Sequence, residues 1–316
     1  MWTQSAAAYV KEAVKNVEDW MDKMGLKFPS RCDTLMSTTY RPELDVSLPL
    51  DSEVVNWYQS AIGVLRWAIE LGRIDVTTKT SMLASQMALP REGHLVAILR
   101  IFHYLKKHHN SRIVFDPTYP EIKHEQFTRQ DWKRFYNHVQ EPLPPNAPKP
   151  LGQPVVIRIF VDADHAGDKL TRWSRTGYVM YLNSAIMNWY SKKQGSIEGA
   201  TFGSEFMAMK TVAEVNRGFR YKLRMMGIPV EEPTYLYGDN MSVLNNTSKP
   251  ESTLKKKSNS IAYHLVRESV AMDEMRTGYV KSDDNPADLM TKVLPRGERR
   301  ERLLRMILCD IYSKNA

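Results

Sequence analysis

Four acidic residues in the second half of the chain have the types and positions expected of divalent-metal ligands. Asp162 and Asp239 each end a short apolar run that is typical of a β-strand. Glu205 lies in the first turns of a predicted helix, and Asp288 begins another. Strand ends and the helix starts beside them can meet at one edge of a mixed sheet, so the four side chains can converge. Clustered carboxylates repel, and a hard cation such as Mg²⁺ or Mn²⁺ relieves that repulsion.

Each acid also has a purely structural explanation. An aspartate after a strand is usually a turn former or a helix cap. Asp288 would be favoured in a first helical turn by the helix dipole. Glu205 could be a solvated helix residue. The ordered set of four, and no single member, favours the metal site.

The elements that must position these acids follow from apolar periodicity. We predict strands over residues 155–162, 177–182, 186–191, 234–238 and 277–281, and helices over 201–226, 240–246 and 260–275, followed by a C-terminal helix. Three strands in a meander, followed by alternating helices and strands, predict an α/β fold: a mixed β-sheet with flanking helices.

The region before this sheet has helical periodicity. We predict helices up to Leu26 and over residues 54–71, 77–87 and 94–107. Residues 141–154 contain six prolines and predict a stiff, extended linker. We therefore expect a mainly helical domain over 1–140, the linker, an α/β domain over 155–295, and a basic C-terminal helix over 296–316.

Composition restricts the class of protein. The 316-residue chain carries a net charge of +8, which favours polyanionic partners such as nucleic acid. Two distant cysteines, Cys32 and Cys309, argue against a disulfide framework and fit a reducing compartment. No apolar run reaches the roughly 18 residues of a membrane span, and the N-terminus lacks the layout of a secretory signal. We expect no membrane partner.

Several motifs in the second half of the chain resemble the ribonuclease H domain of copia-type retrotransposon Pol polyproteins. In order, they are residues 160–168 (FVDADHAGD), 172–178 (RWSRTGY), 189–194 (WYSKKQ), 204–208 (SEFMA), 237–240 (YGDN), 263–268 (YHLVRE) and 285–292 (NPADLMTK). Residues 57–65 and 90–94 resemble the segment that joins the reverse transcriptase palm to ribonuclease H. The chain contains no Tyr-x-Asp-Asp pair after a strand, so we expect no polymerase activity.

The resemblance implies a ribonuclease H-like sheet, preceded by a thumb- or connection-like domain, that hydrolyses the RNA strand of RNA–DNA hybrids. It implies two Mg²⁺ ions, with Mn²⁺ as a substitute. Asp162 would bridge them, Glu205 and Asp239 would hold one ion, and Asp288 would hold the other. Selectivity for RNA would come from its 2′-hydroxyls.

Further residues are candidates for nucleic-acid contacts. They are Arg172, Arg175, Ser204, Asn240, Lys255, Lys256 and Lys257. The expected partners are the RNA–DNA hybrid and the rest of the Pol polyprotein, in the cytoplasm within a virus-like particle, or in the nucleus. One alternative is a catalytically inert retrotransposon remnant that only binds nucleic acid. An integrase or transposase nuclease is disfavoured, because such sites use three acids in a different layout.

Overall fold

The computed structural model describes residues 2–29, 34–254 and 259–311. In chain order the elements are β1 (Trp2–Ser5), α1 (Ala7–Lys23), α2 (Ser52–Glu70), α3 (Thr77–Ala84), α4 (Glu92–Lys107), β2 (Arg112–Phe115), α5 (Lys133–Tyr136), β3 (Ile157–Asp164), β4 (Arg175–Leu182), β5 (Ala185–Lys193), α6 (Thr201–Met225), β6 (Thr234–Gly238), α7 (Met241–Ser248), α8 (Ser260–Ala271), β7 (Met275–Tyr279), α9 (Asp288–Thr291) and α10 (Glu298–Ile307). None of the helices in the described ranges is both long enough and apolar enough to cross a membrane.

These elements form two compact units. The first comprises Met1–Phe115, Asp168–Arg172 and Leu289–Ala316, and the second comprises Asp116–Gly167 and Trp173–Asp288. The units differ from the expected domains at two places. Residues 116–140 belong with the sheet, and the chain after Asp288 belongs with the N-terminal helices.

The first unit is mainly helical, as expected. Asp51 caps α2 by accepting a hydrogen bond from the Val54 amide at 2.9 Å. Tyr58, Ile62 and Leu65 recur along one face of α2 and are fully buried. The antiparallel ribbon of β1 and β2 was not predicted, because each strand has four residues and β1 is largely exposed.

The C-terminal segment completes the first unit. The main chains of Arg112 and Cys309 exchange two hydrogen bonds, of 3.1 and 2.9 Å. Leu303 and Ile307 on α10 are buried. A helix that shares a core in this way cannot be an independent tail, which explains why the expected boundary at residue 296 and the compact unit differ.

The second unit contains a five-stranded sheet in the order β5-β4-β3-β6-β7. β3 pairs antiparallel to β4 and β4 antiparallel to β5, whereas β3 and β6, and β6 and β7, are parallel. The expected α/β fold, a mixed sheet with flanking helices, is confirmed.

Both faces of this sheet are covered. Phe206, Met209 and Val212 of α6 share a buried core with Ile159 and Val161 of β3. Because side chains alternate across a strand, Phe160 points to the other face, where its ring stacks on Tyr237.

Phe127 covers that second face. Its ring lies edge-on to Tyr235 and Tyr237, with centroids 4.8 and 5.1 Å away. This aromatic contact is the physical reason that residues 116–140 belong to the second unit.

The turn between α8 and β7 differs from the expectation. A helix over 260–275 was predicted, but α8 ends at Ala271 and β7 begins at Met275. Asp273 adopts a positive φ of 60°, which ends the helical path. The fully buried Glu274 then pairs with Arg217, at 2.8 Å. The tertiary ion pair therefore fixes a turn that apolar periodicity does not reveal.

Candidate metal site

The parallel pairing of β3 and β6 brings two acids to one edge of the sheet. Phe160 pairs with Tyr237 in the register of the two strands. Asp162 and Asp239 each lie two residues further on. Since the strands run in the same direction, both carboxylates reach the same end, as the sequence pattern predicted.

A close approach of α6 brings the third acid to that edge. Gly238 directly precedes Asp239, and a Cβ atom at this glycine would lie only 3.2 Å from Cε of Met209. Met209 lies one turn after Glu205 on α6, so both point from the same face of the helix. The absence of a side chain at Gly238 thus allows α6 to pack closely where Glu205 is needed.

The three acids form one cluster. A carboxylate oxygen of each of Asp162, Glu205 and Asp239 lies within 4.8 Å of the others. Asp162 and Glu205 are 1% and 6% exposed, and Asp239 is half-buried. Three carboxylates at this separation repel one another unless a proton or a cation compensates them. The donor set consists of oxygen atoms alone, which suits a hard divalent cation.

Asp288 is not a member of this close group. It begins α9, is fully buried, and its main-chain amide donates to the carbonyl of Asn285 at 3.2 Å. The side chain of Asn285 donates in turn to the carbonyl of Val161, next to Asp162. Asp288 therefore follows a turn that is bonded to β3, and its role as a metal ligand stays a prediction.

Sequence reasoning missed a hydroxyl group at the site. Oγ of Ser282 donates to Oδ2 of Asp239 over 2.6 Å. Ser282 lies in a short helical turn after β7, far from Asp239 in sequence. No feature of its neighbours distinguishes it from an ordinary exposed serine, so only the tertiary contact identifies it.

A second contact missed from sequence lies between His165 and Ser204. Oγ of Ser204 is 2.9 Å from the Thr201 carbonyl and 3.3 Å from Nδ1 of His165. A carbonyl oxygen can only accept, so both contacts are hydrogen bonds only if Ser204 donates to Thr201 and His165 donates from Nδ1. In the neutral imidazole, this arrangement leaves Nε2 as an acceptor.

Comparison with known proteins relates the chain to transposon polyproteins. It is 26% identical over 239 residues to the retrovirus-related Pol polyprotein from transposon RE1 of Arabidopsis thaliana, an alignment that covers 76% of this chain and 14% of that protein. It is 23% identical over 241 residues to the retrovirus-related Pol polyprotein from transposon TNT 1-94 of Nicotiana tabacum, covering 76% and 15%. The chain is a relative of copia-type retrotransposon Pol polyproteins.

The chain spans about one seventh of the length of these Pol polyproteins. No family model matches it. Among solved structures, it is similar to an RNase H1 from the archaeon Halobacterium salinarum, at 15% identity and a TM-score of 0.34, over 47% of this chain and 98% of that one.

The expected nucleic-acid contacts of this Pol relative have different surroundings. Arg172, in the first unit, is exposed. Arg175, on β4, is 6% exposed and bonded to the Ser191 hydroxyl at 3.2 Å, which does not favour a phosphate contact. Lys255, Lys256 and Lys257 lie outside the described residues.

Two further candidates flank the carboxylate cluster. Ser204 is fully buried with its hydroxyl bonded within α6. Asn240 caps α7 by accepting from the amides of Ser242 and Val243, which accounts for its carbonyl oxygen and leaves its amide protons for other partners. Direct contact of either residue with nucleic acid stays a prediction.

Proposed function

We propose that this chain hydrolyses the RNA strand of RNA–DNA hybrids with divalent cations held by its clustered carboxylates. The observation that carries the proposal is the meeting of Asp162, Glu205 and Asp239 within 4.8 Å at one edge of a mixed sheet. The relationship to Pol polyproteins supports a nuclease of the ribonuclease H type.

The carboxylates would hold Mg²⁺, or Mn²⁺ in its place. Bound divalent cations supply an activated water and stabilise the charge that develops on the leaving oxygen. Asp162 and Glu205 are buried and therefore held in fixed orientations by their packing. Asp239 is half-buried and so is the acid most open to solvent and substrate. Asp288 would complete the site as a fourth acid.

Selectivity for the RNA strand would rest on its 2′-hydroxyls, which DNA lacks. The positive net charge of the chain favours association with the phosphate backbone and makes that association weaker as salt rises. We propose the remainder of a Pol polyprotein as a second partner.

The test is incubation of the full chain with an end-labelled RNA–DNA hybrid and Mg²⁺. We expect cleavage of the RNA strand by the wild type, and its loss on chelation with EDTA. Asp239→Asn removes a charge from the cluster with little change in volume and should lower the rate by more than about a hundredfold. Glu251→Gln, an equivalent change at an exposed position, should leave the rate unchanged.

Circular dichroism and melting curves establish that each variant is folded. The same RNA as a single strand and the matching DNA duplex should stay intact. A folded wild type that binds the hybrid but cuts no strand with either Mg²⁺ or Mn²⁺ would overturn the proposal and support the inert remnant instead.

A further inference from the structure

The segment that follows β7 holds the end of β6 at two successive residues. The Val280 amide donates to the carbonyl of Gly238 at 3.0 Å. Two residues later, Oγ of Ser282 donates to Oδ2 of Asp239 at 2.6 Å. The first bond fixes the main chain beside Asp239, and the second reaches its carboxylate. The two bonds thus hold both the position and the side chain of one candidate metal ligand.

The direction of the second bond follows from the chemistry of its atoms. An ionised carboxylate only accepts, so the serine hydroxyl is the donor. A length of 2.6 Å lies in the range of charge-assisted O–H···O⁻ bonds, which are stronger than those between neutral groups. The bond occupies Oδ2 and leaves Oδ1 free of this contact.

We infer that Ser282 is a positioning residue for metal binding at Asp239, an inference that rests on the proposed metal site. Asp162 and Glu205 are enclosed by protein, whereas Asp239 is half-buried, so packing restrains its side chain less. Repulsion from the other two carboxylates favours rotamers that turn Asp239 away from them. The Ser282 hydroxyl opposes that rotation.

The expected loss of metal affinity follows from other metal sites, in which a residue that is not itself a ligand orients one of the ligands. Removing a group that orients a metal ligand typically costs 10- to 100-fold in metal affinity. Ser282 is itself exposed, so replacing it leaves no buried cavity. We therefore expect a change in metal affinity without a matching change in folding.

The test compares Ser282→Val with Ser282→Thr, two side chains of the same shape that differ in the hydroxyl. Mn²⁺ affinity of the full chain is measured by titration calorimetry, with free Mn²⁺ followed by electron paramagnetic resonance and no nucleic acid present. We expect Ser282→Val to raise the Mn²⁺ Kd about tenfold and Ser282→Thr to stay close to wild type. Ser282→Ala provides a second variant without the hydroxyl.

Ser242→Val is the matched control, because Ser242 is also exposed and lies three residues after Asp239. It should bind Mn²⁺ as the wild type does. Equal Mn²⁺ affinities in the Val and Thr variants of Ser282 would overturn the inference and leave the hydrolysis proposal intact. If Mn²⁺ affinity depends on the Ser282 hydroxyl but the chain cuts no hybrid, the result supports the role of Ser282 and contradicts the proposed function.

Discussion

The side-chain amide of Asn285 donates to the main-chain carbonyl of Val161 across 3.0 Å. Val161 directly precedes Asp162 on the central strand β3. Oδ1 of the same asparagine accepts from the Ala287 amide at 3.1 Å. Asn285 is fully buried, and these two bonds tie the turn before Asp288 to the strand that carries the most buried acid of the cluster.

Replacing Asn285 by alanine should weaken both the fold and the site. The Val161 carbonyl and the Ala287 amide would each lose the hydrogen bond to Asn285, at a cost of about 1–3 kcal/mol in the free energy of unfolding. Urea denaturation measures this loss, and Mn²⁺ titration should show weaker binding. Asn56→Ala, at an exposed helix position, serves as the control. If both variants unfold at the same urea concentration, the Asn285 bonds do not stabilise the protein.

Divalent cations should stabilise the folded chain before any substrate is added. The three clustered carboxylates repel one another, and a bound cation removes that repulsion only in the folded state. At a cation concentration one hundred times Kd, the gain is about 2.7 kcal/mol. Melting curves with and without Mg²⁺ measure this gain in stability. Asp239→Asn should abolish most of the rise in Tm, and an undiminished rise in that variant would place the cation elsewhere.

Gly278 on β7 should not tolerate a side chain. A Cβ atom there would lie 2.6 Å from Cε1 and Cζ of Phe127, the residue that covers the second face of the sheet. Gly278→Ala should push the ring away and lower the free energy of unfolding by about 1–3 kcal/mol. The cost should largely disappear in a Phe127→Ala background, which a double-mutant cycle measures.

Gly218→Ala provides the contrast to the change at Gly278. Gly218 lies on α6, where an added Cβ would meet no described atom within 4 Å outside the nearby backbone of its own helix, so alanine there should stabilise the helix by about 0.5–1 kcal/mol. Similar effects of the two alanine substitutions would contradict the packing argument for Phe127.

Glu141 should contribute stability that depends on pH. Burial alone would raise the pKa of its carboxyl group, but hydrogen bonds and charge from Arg220 and Arg224 outweigh burial and lower the pKa to about 2. A carboxylate whose pKa is lower in the folded state than in the unfolded state stabilises the protein at pH values above the unfolded-state pKa. That stability is lost as pH falls through the folded-state pKa. The stability that Glu141 contributes is therefore lost between about pH 4.5 and about pH 2.

Glu141→Gln should cost about 2–3 kcal/mol at pH 7, because two guanidiniums lose their shared counter-charge. The difference in unfolding free energy between wild type and variant should shrink as pH falls through that window. Glu251→Gln, at an exposed position, should show no such trend. If the difference in unfolding free energy between wild type and Glu141→Gln stays constant from pH 7 to pH 3, the Glu141 contacts do not contribute this stability.

The two compact units show which features of the fold local sequence patterns do not predict. Periodicity predicted α2 and its Asp51 cap, since both depend on residues a few positions apart. The proline-rich segment was expected to be a linker between domains. Its first residue, Glu141, is instead held by Arg220 at 2.7 Å, so the segment is fastened to the second unit. Proline content predicted the extended conformation, but it carries no information about what an extended chain packs against.

The sequence by itself predicted the five strands of the sheet, the long helices beside it and the acids at the strand ends, because apolar alternation and strand-end carboxylates are local patterns. The tertiary structure decided which acids meet. It placed Asp162, Glu205 and Asp239 within 4.8 Å, left Asp288 outside that group, and added the Ser282 hydroxyl. These outcomes depend on the parallel pairing of β3 with β6 and on the path of the chain after β7, which join residues too far apart in sequence for any local pattern to relate.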